Sequence, residues 1–236
     1  MLRIIFISLI GVLTAASLGA TSTYSVLIDT SGINGYVGEL VFDFLSGGGP
    51  VNAASILGFS SDGALGDAST QSTTGDVFGT GSGPVFISPG SVVLIDDTGF
   101  SEYVIGFTFG STISFTLNAS QNAPGPNPPD ELSLFFLDTD GMTPLITTSD
   151  PTGSNSLLTL DIDGSTDGIS TVYPANDGSG VTATMTPQSS GGSSVPEPST
   201  WPVLLAVGLL ASFTSLGRAL KGICNLTTPL TRDSLD

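Results

Sequence analysis

Carboxylates are the only side chains in the central part of this chain that could do chemistry. Between Thr21 and Ser194 there is no His, Lys or Arg, and the single cysteine of the 236 residues, Cys224, lies beyond that stretch. A Ser or Thr nucleophile needs a base to take its proton, and neither His nor Lys is at hand; no GxSxG elbow occurs either. Thiol chemistry and zinc, copper or haem sites built on His or Cys have no ligands here. What remains is a large set of acids: Asp29, Asp43, Asp62, Asp67, Asp76, Asp96, Asp97, Asp130, Asp138, Asp140, Asp150, Asp161, Asp163, Asp167 and Asp177, with Glu39, Glu102 and Glu131.

Such acids have two chemical uses. A converging pair could hydrolyse a glycoside, but that requires a cleft and a carboxyl of raised pKa, which spacing alone does not reveal. Calcium is the better match, because Asp oxygens and loop carbonyls are hard ligands. The run from Asp161 to Gly168 places Asp161, Asp163 and Asp167 on a Gly-containing loop, and Asp138-Thr139-Asp140-Gly141 is a smaller version. Neither has the ligand spacing or terminal Glu of an EF-hand. The competing reading is that Asp-Gly pairs make turns and outward Asp residues keep the surface soluble. The expectation is a protein that is not an enzyme and has no obligatory cofactor, with calcium at Asp161, Asp163 and Asp167 the one ion site in view.

Charge narrows the partners. The formal net charge is -17, and the four basic residues, Arg3, Arg218, Lys221 and Arg232, all lie in the terminal segments. Nucleic-acid binding relies on Lys and Arg displacing counterions from phosphates, so the central part is unsuited to it. An anionic membrane surface would repel it as well.

The elements that must position these acids are strands. Tyr24, Val26 and Ile28 alternate with more polar neighbours, as do Leu40, Phe42 and Phe44, and the set Tyr103, Ile105, Phe107 and Phe109. Ile113, Phe115 and Leu117 follow after Gly110-Ser111, which predicts a hairpin; Val181, Ala183 and Met185 repeat the pattern. Leu132 to Leu137 is apolar at both parities and suits a central strand. Clusters such as Ser46 to Pro50, Gly79 to Pro84 and Ala123 to Pro129 supply the turns. With a hydrophobic fraction of 39% and no convincing amphipathic helix in the interior, the expected fold is all-β, a single β-sandwich or jelly-roll-like domain over residues 21–187.

Both ends look like processing segments. Arg3, the apolar run Ile4 to Leu13 and Leu18-Gly19-Ala20 read as a secretory signal peptide over residues 1–20, cleaved after Ala20 or, alternatively, after Ala16. Residues 188–194 form a Gly/Ser linker. Val195-Pro196-Glu197-Pro198-Ser199 then precedes an apolar segment, a transmembrane helix over about 201–217, with Trp201 at one interface and the membrane stop Arg218 and Lys221 at the other. The basic flank holds that end in the cytoplasm and leaves the acidic body outside; residues 222–236 continue as a cytoplasmic tail.

The order Pro-Glu-Pro, apolar helix, basic cluster resembles the PEP-CTERM sorting signal, here over residues 195–221. The resemblance implies an exported bacterial protein handled by the secretion machinery and then by an exosortase. Its precursor would be held in the inner membrane and its destination would be the cell surface or extracellular matrix. The body, with Tyr24 to Gly32, Gly38 to Phe44 and Phe107-Thr108-Phe109-Gly110, resembles an uncharacterised family of PEP-CTERM cargo proteins. A structural or interaction role in the exopolysaccharide layer is therefore expected, with a calcium-assisted carbohydrate-binding module as the alternative and a glycoside hydrolase as the remote one.

Overall fold

A computed structural model describes residues 21–79, 85–165 and 167–188. All of them fall in the first of the two units into which the chain divides, 1–190; the second, 191–236, lies outside the described residues. So do the expected signal peptide, the Pro-Glu-Pro motif, the apolar helix, its basic flank and the tail.

The described residues are all-β, with two antiparallel sheets and no α-helix. In chain order the strands are β1 (Thr21–Asp29), β2 (Val37–Leu45), β3 (Ala53–Ser61), β4 (Ala64–Leu65), β5 (Gln71–Thr74), β6 (Asp76–Gly79), β7 (Ser91–Ile95), β8 (Phe100–Thr108), β9 (Thr112–Ser120), β10 (Asp130–Asp138), β11 (Leu158–Ile162), β12 (Ile169–Val172) and β13 (Thr182–Gln188). The six-stranded sheet runs β13-β1-β9-β3-β7-β6, and the seven-stranded sheet runs β12-β11-β10-β2-β8-β4 with β5 also paired to β8.

Period-two alternation is what builds the core, because successive side chains of a strand point to opposite faces. Tyr24, Val26 and Ile28 of β1, Ile113, Phe115 and Leu117 of β9, Leu40, Phe42 and Phe44 of β2, and Tyr103, Ile105 and Phe107 of β8 all belong to one buried cluster. Aromatic edges join the sheets: the Phe42 and Phe115 rings stand 5.6 Å apart at 77°, and Phe59 meets Phe107 at 6.1 Å and 87°. Each such pair contributes about 0.5–1.5 kcal/mol beyond the area it buries. Truncating Phe42 to Ala would cost roughly 3–5 kcal/mol by the usual cavity rule.

The hairpin expected at Gly110-Ser111 is not one. β8 lies in the seven-stranded sheet and β9 in the six-stranded sheet, so the connection is a corner that crosses between layers. Two strands with core-facing residues and a short connection satisfy the alternation equally well on one sheet or on two facing sheets. A carboxylate fixes the corner: Asp62 Oδ1 accepts the backbone N–H of Ser111 and of Thr112, each at 2.8 Å. Gly110 is required there, since a Cβ would fall 2.3 Å from Asp62 Oδ1. The expectation of a central strand near Leu132 fares better, with β10 lying inside its sheet between β11 and β2.

Candidate functional site

The outward face of the seven-stranded sheet gathers carboxylates that alternation sends away from the core. Glu39 and Asp43 of β2 sit at the parity opposite Leu40, Phe42 and Phe44, and Glu102 of β8 opposite Tyr103 and Ile105. In register, Asp43 faces Glu102 on one side and Ser133 of β10 on the other. Glu131 faces Asp161 farther along the same sheet. Like charges placed directly opposite on a sheet repel, so such pairs are informative.

A groove of about 350 Å³ crosses this face, lined by Glu39 and Glu102, by Ser69, Gln71 and Ser72, and by Gly141. One wall is the 3-10 turn Ala68–Thr70. Asp67 caps it, its Oδ1 accepting the Ser69 N–H at 2.8 Å, and the Gly66 N–H donates to the Gly106 carbonyl at 2.7 Å. The absence of a side chain on Gly106 is what admits this wall, because a Cβ there would lie 2.7 Å from Thr70 Cβ. The opposite wall is the turn after β10, where Asp140 Oδ1 accepts the Met142 and Thr143 N–H groups at 2.9 and 2.8 Å. Asp138-Thr139-Asp140-Gly141, singled out as a small acidic loop, thus uses Asp140 to hold its own turn.

The groove is rich in acceptors. Gln71 Oε1, in its wall, and Asp43 Oδ1, beside Glu102, are buried without a hydrogen-bond donor. Burial pushes the Asp43 carboxyl up to about 7, and the Glu102 charge and hydrogen bond push in the same direction. Glu39 is also raised, by burial first and then by Asp140 and Glu102.

The three acids expected to hold calcium are placed as follows. Asp161 belongs to β11 and pairs across to Glu131 and Ile169; burial raises its carboxyl, with Asp163 adding. Asp163 Oδ1 accepts the Ser165 N–H at 2.9 Å in an ordinary turn contact, and the Ser165 side chain first, then this N–H, lower its pKa. Asp167 is exposed and, with Asp163, acts electrostatically on the buried Tyr24 hydroxyl. Among the described residues no three acids, His or Cys come together in a group able to hold a metal ion. The sorting motif Val195, Pro196, Glu197, Pro198 and Ser199 and the membrane stop Arg218 and Lys221 lie outside the described residues. Among those described, no helix is long and apolar enough to cross a membrane.

The groove itself was not foreseen. Its signal was the parity of Asp43 and Glu102 within otherwise apolar strands, which marks them as neighbours on one face only once β2 and β8 are known to pair. In comparison with known proteins, no family model, no curated protein and no solved structure matches this chain.

Proposed function

We propose that this chain is an exported surface or matrix protein whose body, a β-sandwich of jelly-roll type, is an interaction module for neutral, hydroxyl-rich polysaccharide. The observation that carries the reading is the acceptor-rich groove between Glu39 and Glu102. Sugar hydroxyls are donors, and the groove is lined by the carboxylates Glu39 and Glu102, the Gln71 amide and the Ser69, Thr70 and Ser72 hydroxyls. Charge selects among polysaccharides. A body without Lys, Arg or His repels anionic chains and has nothing to neutralise them, whereas neutral sugars meet no such barrier. The binding needs no calcium at Asp161, Asp163 and Asp167, which stand on and after β11 and do not line the groove.

The sorting half of the proposal is supported by residues 195–221, whose Pro-Glu-Pro, apolar and basic segments follow in the PEP-CTERM order, and by the signal-like residues 1–20. An exosortase would act at that motif after the secretion machinery has delivered the body outward. The full chain, purified in detergent and applied to a panel of neutral and anionic glycans, should retain neutral ones, and Glu102→Gln should weaken that retention about tenfold, the worth of one hydrogen bond to a charged group. Selective binding to anionic glycans alone, or binding indifferent to Glu102, would sink the groove. In the producing cell, deletion of Pro196 to Lys221 should abolish surface processing; unchanged size and location would sink the sorting half.

A further inference from the structure

A second pair of acids closes one end of the molecule, at the boundary between the two sheets. Asp96 follows β7 of the six-stranded sheet, and Asp130 opens β10 of the seven-stranded sheet. They are 3% and 0% exposed, which is unusual for Asp without a cationic partner. Asn52, 1% exposed and just ahead of β3, holds both: its backbone N–H donates to Asp96 Oδ1 at 2.7 Å, and its Nδ2 donates to Asp130 Oδ2 at 2.6 Å. The orientation of the Asn52 amide is fixed, because its Oδ1 accepts the Ser120 hydroxyl at 2.8 Å and the Asn122 N–H at 2.9 Å. Asp130 Oδ1 accepts the Gly47 N–H at 2.7 Å.

Both Asp130 oxygens therefore have N–H donors, whereas Asp96 Oδ2 is buried with none. No Lys, Arg or His exists between Thr21 and Ser194 to neutralise the pair. Where two buried carboxyls meet without a base, one proton between them removes a charge and supplies the missing donor. We propose that Asp96 and Asp130 share one proton and, with Asn52, form a latch that ties the two sheets together in mildly acidic surroundings and weakens as the pH rises to neutrality.

The direction of titration agrees. Burial is the main cause that raises the Asp96 carboxyl, to about 6; the Asn52 N–H opposes it, and the hydrogen bond and charge of Asp130 add to it. The titratable groups on the elements packed against the latch are Asp97, exposed and next in the chain, Asp76 of β6, which pairs with Ile95, Glu131 and Asp161, which pair on the outward face, Asp163 after β11, and, farther along β2 and β10, Asp43, Glu39 and Asp138. All are acids, so none can take the place of the proton. A native carboxyl that keeps its proton where the unfolded chain has lost it stabilises the fold at low pH, and that contribution is lost as pH rises through the native pKa. Across that window the unfolding constant rises by up to about tenfold per pH unit.

Melting of the full chain in detergent between about pH 4 and about pH 8 tests the latch, with EDTA present and in an Asp43→Asn background so that the groove pair cannot contribute. The melting temperature of that chain should fall as pH rises, and adding Asp96→Asn, whose amide supplies a permanent donor to Asp130, should remove most of the fall. An equal fall in both chains overturns the proposal. If Asp96→Asn does not fold, carbon-13 NMR of the Asp carboxyls in the Asp43→Asn chain reads the same proton: a buried carboxyl titrating near pH 6 supports the latch, and none titrating between about pH 5 and about pH 7.5 overturns it. About 1 mM calcium separates the proton from a cation. A neutral-pH melting temperature raised by calcium only when Asp96 is present would assign the pair to a metal ion and overturn the shared proton.

Discussion

The two pairs of neighbouring acids, Asp43 and Glu102, opposite each other on the outward face, and Asp96 and Asp130, joined through Asn52 at the edge of the core, have the same chemistry but different surroundings. Both consist of one carboxyl whose pKa is raised chiefly by burial and a second carboxyl beside it. The inner pair takes its donors from Gly47 and Asn52, and Asn52 is itself held by the Ser120 hydroxyl and the Asn122 N–H. The outer pair accepts one long hydroxyl contact, from Thr74 Oγ1 at 3.5 Å to Glu102 Oε1, and Glu102 lines an open groove. In a body without bases, then, the arrangement of donors decides whether a carboxyl pair ties the fold or faces a ligand.

That contrast predicts unequal responses. Asn52→Ala should be the most damaging change, because it removes a charge-assisted bond to Asp130 and leaves the Ser120 hydroxyl and the Asn122 N–H without their acceptor. A loss of about 3 kcal/mol or more is expected from chemical denaturation. A loss below about 1 kcal/mol would mean that the inner donors matter no more than surface ones.

Asp43→Asn should act in the opposite direction and only in part of the pH range. The Asp43 carboxyl rises from 3.8 to about 7 on folding, so the native state holds a proton that the unfolded chain has released between those values. Its stabilising contribution is complete below the lower value and lost as pH approaches 7. The amide mimics the protonated acid at every pH, so the variant should match the parent near pH 4 and exceed it near pH 8 by on the order of 2 kcal/mol after solvent screening. Equal stabilities at both pH values would remove the outer pair from consideration. Thr74→Ala should have the smallest effect, under about 0.5 kcal/mol, since it deletes a long, exposed contact. A loss comparable to that of Asn52→Ala would erase the distinction between the pairs.

Much of the architecture was legible from alternation. Tyr24, Val26 and Ile28 are buried as their spacing requires, and so are Leu40, Phe42 and Phe44. Glycine and proline clusters marked the breaks between strands, because they supply backbone conformations that a ladder does not use. The corner at Gly110-Ser111 shows the limit. Its direction depends on Asp62, which lies 49 residues from Ser111 in sequence and announces itself only as one acid among many.

The sites were less legible than the strands. Asp130 carried one signal, since it has the parity of Leu132, Leu134 and Phe136 and so must face inward if β10 begins there. Asn52 shares the parity of Ala54 and Ile56, and Asp96 that of Val92 and Leu94, but their meeting was not legible, because their contacts span 78 and 44 residues. The Asp161 to Gly168 run drew attention because its acids are close in sequence, yet β11 and the following turn give Asp161 and Asp163 different partners.

By itself the sequence determined the all-β character, the inward and outward assignment along the clearest strands, and a body whose acids have no base to pair with. These follow from local periodicity and composition, which need no knowledge of distant neighbours. Which strands share a sheet, and hence which acids touch, was decided only by the tertiary structure. Alternation fixes the face on which a side chain lies but not the strand beside it, and the proton that two carboxyls come to share depends on that neighbour.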